Sequence, residues 1–130
     1  MQMILFKMQG QNYLISADDV EEVVDTIQIT KVPLASNWIK GLINLRGTVV
    51  TVVGLAELLG IPSSDNNLNI LIMKNGEERK GLLIEEVIEV LDIDPTEIQL
   101  GSDQDEKHIK GVIAFPDKVA NIVDVTDAIF

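Results

Sequence analysis

The sequence predicts an all-β chain built from two similar small barrels, and three observations carry that prediction. Isoleucine and valine together number 31 of the 130 residues while aromatics make up only 4%, so the core has to be assembled from β-branched side chains that favour extended backbone. Short apolar runs are broken at close intervals by turn residues, as at Gly10-Gln11-Asn12 and Asn75-Gly76, which is the punctuation of hairpins. The third observation is an internal repeat. KGLINLRGTVVTVVGLAELL from Lys40 aligns without gaps on KGVIAFPDKVANIVDVTDAI from Lys110, an offset of 70. A weaker echo places Val20-Glu21-Glu22-Val23-Val24-Asp25 on Val87-Ile88-Glu89-Val90-Leu91-Asp92, an offset of 67. Such repeats mean duplicated units, here about five short strands each and too small to be comfortable alone. The charged loop Gly101 to His108 is where the difference between the offsets is expected to be absorbed.

Taken in order, Met3 to Met8 and Tyr13 to Ile15 read as a hairpin around Gly10-Gln11-Asn12. Ala17 to Ile29 stays open between helix and strand, because Val20, Val23, Val24 and Ile27 fit a helical face while the valines prefer an extended chain. Gly41 to Val53 reads as two strands meeting near Arg46-Gly47, and Leu55 to Leu59 as a helical turn stopped by Gly60 and Pro62. Leu68 to Met73 and Lys80 to Ile84 form a hairpin across Asn75-Gly76. Glu85 to Ile93 repeats the helix-or-strand ambiguity. Asp94-Pro95-Thr96-Glu97 supplies a cap, a first-turn proline and a carboxylate for one helical turn. Lys110 to Ile129 closes the chain with two β-branched runs around Pro116-Asp117.

Composition removes several classes of function. The formal net charge of −11 repels phosphate backbones, so neither nucleic acid nor an anionic lipid surface is the expected partner. Without cysteine there is no disulfide, thiolate nucleophile or cysteine-ligated metal. No basic segment with a following apolar stretch marks a signal peptide, and no run approaches the length of a membrane span, so direct membrane insertion is not expected. His108 has no second histidine or cysteine to share a metal. Asp103, Asp105 and Glu106 lack the glycine and terminal glutamate of a calcium loop. Ser16 and Asp18 with His108 carry none of the sequence around a nucleophile that a catalytic triad needs. No cofactor site is expected.

Arg46 is the residue that needs explaining, because an arginine among apolar residues requires a carboxylate within reach. Glu22 is the candidate: it is mirrored by Glu89, whereas Arg46 is mirrored by Pro116 and Gly47 by Asp117. A buried or half-buried structural pair is the expectation, with Arg46→Ala lowering stability.

With these residues in view, the chain resembles the CheW-like family of chemotaxis coupling proteins. The resemblance rests on Ile39 to Gly47, which holds the family's asparagine-leucine-arginine-glycine signature, with Val20-Glu21-Glu22-Val23 upstream and Gly81 to Leu91 with Asp94-Pro95 downstream. It implies two intertwined five-stranded SH3-like barrels with short helical turns in one domain over 1–130. The first barrel would span about 12–66, and the second about 1–11 plus 67–130. It implies further a non-catalytic cytoplasmic adaptor, recruited to membrane receptor arrays. Its partners would be the cytoplasmic tip of a methyl-accepting chemoreceptor and the regulatory domain of the histidine kinase CheA, met at one end of a barrel. On the family pattern Glu22 and Arg46 form a structural salt bridge. Val20, Gly41, Gly47, Gly81, Val90 and Gly111 match positions associated with receptor coupling, and Val87 joins them as the counterpart of Val20. The family's usual proline and aspartate after the signature are Thr51 and Gly54 here.

The plainer roles compete with these. The glycines serve turns or close packing first, the valines read equally as core, and Trp38 suits either a partner anchor or a cover over a barrel end. Two other functions remain in view: an adaptor in a non-chemotaxis signalling array, and a small hydrolase with carboxylates converging in the cleft between barrels.

Overall fold

The computed structural model describes residues 1–100 and 108–130. Ten strands run β1 (Gln2–Met8), β2 (Gln11–Ser16), β3 (Val20–Asp25), β4 (Ile39–Leu45), β5 (Thr48–Gly54), β6 (Asn69–Asn75), β7 (Glu78–Ile84), β8 (Glu86–Asp92), β9 (Ile109–Ala114) and β10 (Val119–Val123). Two short helices, α1 (Leu55–Leu59) and α2 (Thr126–Ile129), follow β5 and β10. Both ambiguous segments are strands, each accompanied by a single 3-10 turn. One turn is capped by Ser16 Oγ accepting from the Asp18 amide, the other by Asp94 Oδ1 accepting from the Thr96 amide at 3.0 Å.

The strands make two five-stranded sheets, ordered β8-β1-β2-β10-β9 and β3-β6-β7-β5-β4. The second order is the first with every strand replaced by its repeat: an offset of 67 carries β1, β2 and β3 onto β6, β7 and β8, and 70 carries β4, β5 and α1 onto β9, β10 and α2. The connection from β8 to β9 is three residues longer than that from β3 to β4. Its portion 101–107, expected to take up this difference, lies outside the described residues.

Strand pairing divides the chain at other points than the expected 12–66 and 1–11 plus 67–130. Strands β3 to β7 form one barrel, and β1 with β2 joins β8 to β10 in the other. A whole hairpin is exchanged rather than one strand, for a steric reason. β1 and β2 are joined by the two-residue turn Gln9-Gly10, both at positive φ (51° and 74°), and a turn that short holds its strands side by side.

Each sheet closes into a barrel through one extra bridge. Thr30 exchanges two backbone hydrogen bonds of 2.8 Å with Leu42, and Gln99 exchanges two of 2.8 Å with Val112. The closing segment passes so near β4 and β9 that only glycine fits beneath it. A Cβ on Gly41 would run into the Thr30 carbonyl and Ile29, and one on Gly111 would meet the Gln99 carbonyl and Ile98.

Three apolar clusters result. Met3, Leu5, Leu14, Ile93, Ile113, Ala120 and Ile122 fill one barrel, and Ile43, Val50, Val52, Ile70, Ile72 and Leu83 fill the other. The third lies between the barrels and draws on both, with Ile4, Phe6, Met8, Tyr13 and Ile15 from one sheet against Leu71, Met73, Leu82 and Ile84 from the other. Phe6 and Tyr13 stack there, with centroids 5.6 Å apart. Alternation along each strand sends one face into its own barrel and the other onto the neighbouring barrel, which leaves no apolar face of β1, β2, β6 or β7 for solvent.

Candidate functional site

β3 and β8 occupy equivalent ends of the two sheets, and each forms a wall against the inter-barrel cluster. In the ladder Val20 stands opposite Met73 and Val23 opposite Leu71, while Val87 stands opposite Phe6 and Val90 opposite Ile4. All four partners belong to the inter-barrel cluster, and directly opposed residues share a face. Val20 and Val87 are half-buried against the cluster, whereas Val23 and Val90 are 41% and 56% exposed. Each wall therefore has an inner valine packed on the core and an outer valine open to solvent.

Residues three apart on a regular strand point to opposite faces. A β-bulge restores them to one face in each wall. The β3–β6 register skips at Glu21 and the β8–β1 register skips at Ile88, positions that correspond through the offset of 67. The bulge also explains why i, i+3 spacing made both segments look helical.

Val20, Val87 and Val90 all face the inter-barrel cluster, and so does Val23, which sequence reasoning had left out of the site. The same offset that pairs Val20 with Val87 pairs Val23 with Val90, so the signal was present. The glycines have other surroundings. Gly41 and Gly111 sit under the closing segments, and a Cβ on Gly81 would press on Ile70 inside its barrel. Gly47 (φ 86°) is in the exposed β4–β5 turn, its amide donating to Asn44 Oδ1 at 2.8 Å. Trp38 is half-exposed and packs against the inter-barrel cluster, and its carbonyl accepts from the Gly54 amide at 2.7 Å. At Gly54 the Glu57 carboxylate occupies the space a side chain would need, with Lys40 Nζ 3.4 Å from Glu57 Oε1.

Arg46 and Glu22 are joined by two hydrogen bonds from the guanidinium fork, and of the buried or half-buried pair expected, Glu22 is half-buried while Arg46 is not. The Arg46 side chain is 69% exposed and that of Glu22 29%. The arginine occupies the first position of a two-residue turn, at φ 51°, and this lifts its side chain off the barrel end. A second pair, not anticipated, lies beside it. Arg79 on β7 donates through Nε and Nη2 to both carboxylate oxygens of Glu21, because the bulge turns two consecutive glutamates toward arginines. Hydrogen bonds from Arg79 hold the Glu21 carboxyl below its ordinary range, and the hydrogen bonds that Arg46 donates to Glu22 push the Arg46 guanidinium up.

Nothing here has the chemistry of a catalytic centre. No polar or charged residue is buried among the described residues, and no group of histidine and carboxylate side chains among them is placed to hold a metal ion. His108 contributes its carbonyl to the Asp124 amide. The calcium-like carboxylates Asp103, Asp105 and Glu106 lie outside the described residues. Among the described residues, no helix is long and apolar enough to cross a membrane.

The CheW-like domain family model matches residues 2–129. The chain belongs to the CheW-like family. It is 28% identical to the chemotaxis protein CheW of Thermotoga maritima over 127 residues, covering 95% of this chain and 84% of that one. It is 27% identical to the chemotaxis protein CheW of Bacillus subtilis, covering 94% and 82%. The crystal structure of scaffolding protein TtCheW from Thermoanaerobacter tengcongensis superposes with a TM-score of 0.85 at 29% identity, covering 95% of this chain and 84% of that one. The CheW-like family is one of scaffolds rather than enzymes.

Proposed function

We propose that this chain is a non-catalytic chemotaxis scaffold that couples the cytoplasmic tip of a chemoreceptor to the regulatory domain of the histidine kinase CheA. The observation that carries the reading is the set of valines Val20, Val23, Val87 and Val90 turned to the inter-barrel cluster: an apolar groove between the barrels would suit an amphipathic helix, which recognises such a surface through residues at helical spacing. A receptor helix would occupy it. The kinase contact is proposed at the end of the β3–β7 barrel, where Ile27, Thr30, Leu42 and the exposed Val49 border an open depression of about 530 Å³. The two surfaces lie on different parts of the molecule, as coupling requires. The site of action is the cytoplasm, at membrane receptor arrays.

Affinity purification of the tagged chain from its own cells tests the reading. A receptor and a kinase in the eluate, with the receptor alone lost for Val90→Glu, is the expected result. Retention of the receptor by Val90→Glu contradicts the groove assignment, and an eluate with neither protein contradicts the coupling role.

A further inference from the structure

We infer that the first barrel binds a short extended segment of its partner, which takes the backbone hydrogen bonds that β4 leaves unmade at Asn44. The inference rests on reading the depression beside β4 as the kinase contact and adds to it the form of the chain that fills it.

The closing segment meets β4 at a single rung. Leu42 turns both of its backbone groups outward, to Thr30. With a period of two along each chain, the next groups to face each other belong to Asn44 on β4 and Gln28 on the closing segment. That rung is not made. Among the described residues no backbone bond crosses this edge beyond Thr30 and Leu42, and Gln28 and Asn44 instead line the open depression of about 530 Å³. Asn44 is exposed and its side chain is spent on the Gly47 amide. What it offers a partner is therefore backbone, one N–H and one carbonyl. Ile27 and the exposed Val49 add apolar surface beside them. An unpaired edge of this kind is a template for another chain.

The second barrel closes the equivalent edge. Its rung joins Gln99 to Val112, and the next would join Glu97 to Ala114. There the chain curls into the 3-10 turn Pro95–Glu97, so the Glu97 amide is spent on the Asp94 carbonyl at 3.0 Å, and an exposed glutamate stands at the rung. Charge divides the halves in the same way. Residues 26–56 contain three basic residues and no aspartate or glutamate, and two of the three, Lys40 and Arg46, already face Glu57 and Glu22. The repeat carries this stretch onto 93–126, which holds seven acids and three lysines. The half with the open rung is thus the half cleared of acids, in the manner of an interface core.

The occupant follows from the same chemistry. A receptor helix satisfies its backbone internally and has no groups left for this edge, whereas an extended segment has. Of the two partners proposed above, the kinase CheA is therefore the one that supplies it, with an apolar side chain set toward Ile27 and Val49.

Amide hydrogen exchange of the full chain, alone and with excess CheA, tests the inference. In the free chain the Asn44 amide should exchange rapidly while those of Thr30 and Leu42 are protected, and CheA should slow Asn44 by about ten-fold or more. Asn44→Pro removes the donor without breaking a bond to β5, because Asn44 faces away from that strand's backbone. It should weaken CheA binding by about ten-fold relative to Asn44→Ala, which keeps the donor and loses the same side-chain bond to Gly47. CheA binding that leaves the Asn44 amide unprotected, or that is the same for the two variants, overturns the inference and leaves the kinase reading standing. Protection of Asn44 that grows with the concentration of the chain alone overturns the choice of occupant in favour of a second copy. Failure of CheA to bind overturns the kinase reading and the inference together. The exchange measurement uses the unaltered chain, so it decides the matter even where Asn44→Pro unfolds.

Discussion

The two walls of the groove come from one repeated unit, yet they are held differently. β3 is braced by Arg46 and Arg79 through adjacent glutamates, while Glu89 on β8 makes no ion pair among the described residues. What they share is the apolar geometry: a bulge at the same repeat position and valines three apart on one face. Duplication has preserved the contacts that build the barrels and the groove. The exposed ionic groups have been free to diverge, because a solvated ion pair adds little to stability. Features common to both halves are thus read as structure, and features confined to one half as candidates for specificity.

The largest effect expected from this comparison lies at the shared closing points. Gly41→Ala drives a methyl into the Thr30 carbonyl at a position whose φ of 142° disfavours a side chain, and should cost about 3 kcal/mol or more in urea unfolding. Gly111→Ala meets milder crowding, 2.9 Å from the Gln99 carbonyl oxygen against 2.2 Å from that of Thr30 at Gly41, without a positive φ, and should cost about 1–3 kcal/mol. Equal costs would show that neither the closer carbonyl nor the backbone conformation at Gly41 adds to the penalty. Next come the outer valines. Val23→Glu and Val90→Glu should each weaken binding of a receptor-tip helix by about 30-fold or more, with melting temperatures close to that of the parent chain. A loss confined to one of them would break the equivalence of the walls.

The charged groups come last. Arg46→Ala and Arg79→Ala should each lower the melting temperature by no more than about 2–3 °C, since the pairs are exposed. A much larger drop in a thermal melt would restore the structural role first expected of Arg46. Acid titration separates these groups further. Arg79 holds Glu21 below its ordinary value, and hydrogen bonds from the Thr96 amide and hydroxyl do the same for Asp94. A carboxyl depressed in the folded state adds stability above its unfolded value, near 4, which is lost as pH falls through the folded one. Asp19 behaves in the opposite sense: burial, then Asp124 and Asp18, push it up, so its ionisation opposes folding at neutral pH. Asp19→Asn should raise the melting temperature by about 1–2 °C at pH 7 and leave it unchanged near pH 3.

Much of this was legible in the residues. Hairpins around Gly10-Gln11-Asn12, one residue from the turn observed at Gln9-Gly10, and Asn75-Gly76, the capped turn at Asp94 and the duplication all announce themselves through turn chemistry and spacing. The exchange of hairpins between barrels was not legible, because either pairing buries the same alternating side chains, and what decides it is the shortness of the β1–β2 turn. The bulges were hidden for a related reason: one extra residue makes a strand carry the i, i+3 pattern of a helix. The Glu21–Arg79 pair joins residues far apart in sequence through that bulge, and no local pattern marks it. Gly41 and Gly111 were marked as close-packing residues by type and repeat. That they lie under the closing segments and not in the groove depends on the path of the chain around Thr30 and Gln99.

The central claim is that a partner helix lies between the barrels against both walls. Methyl-labelled valines observed by NMR during titration with a receptor-tip peptide test it most directly. Shifts at Val20, Val23, Val87 and Val90, with Val49 and Val119 at the hairpin ends unmoved, are the predicted result. Shifts confined to Val49 and Val119, or to one wall alone, would contradict it.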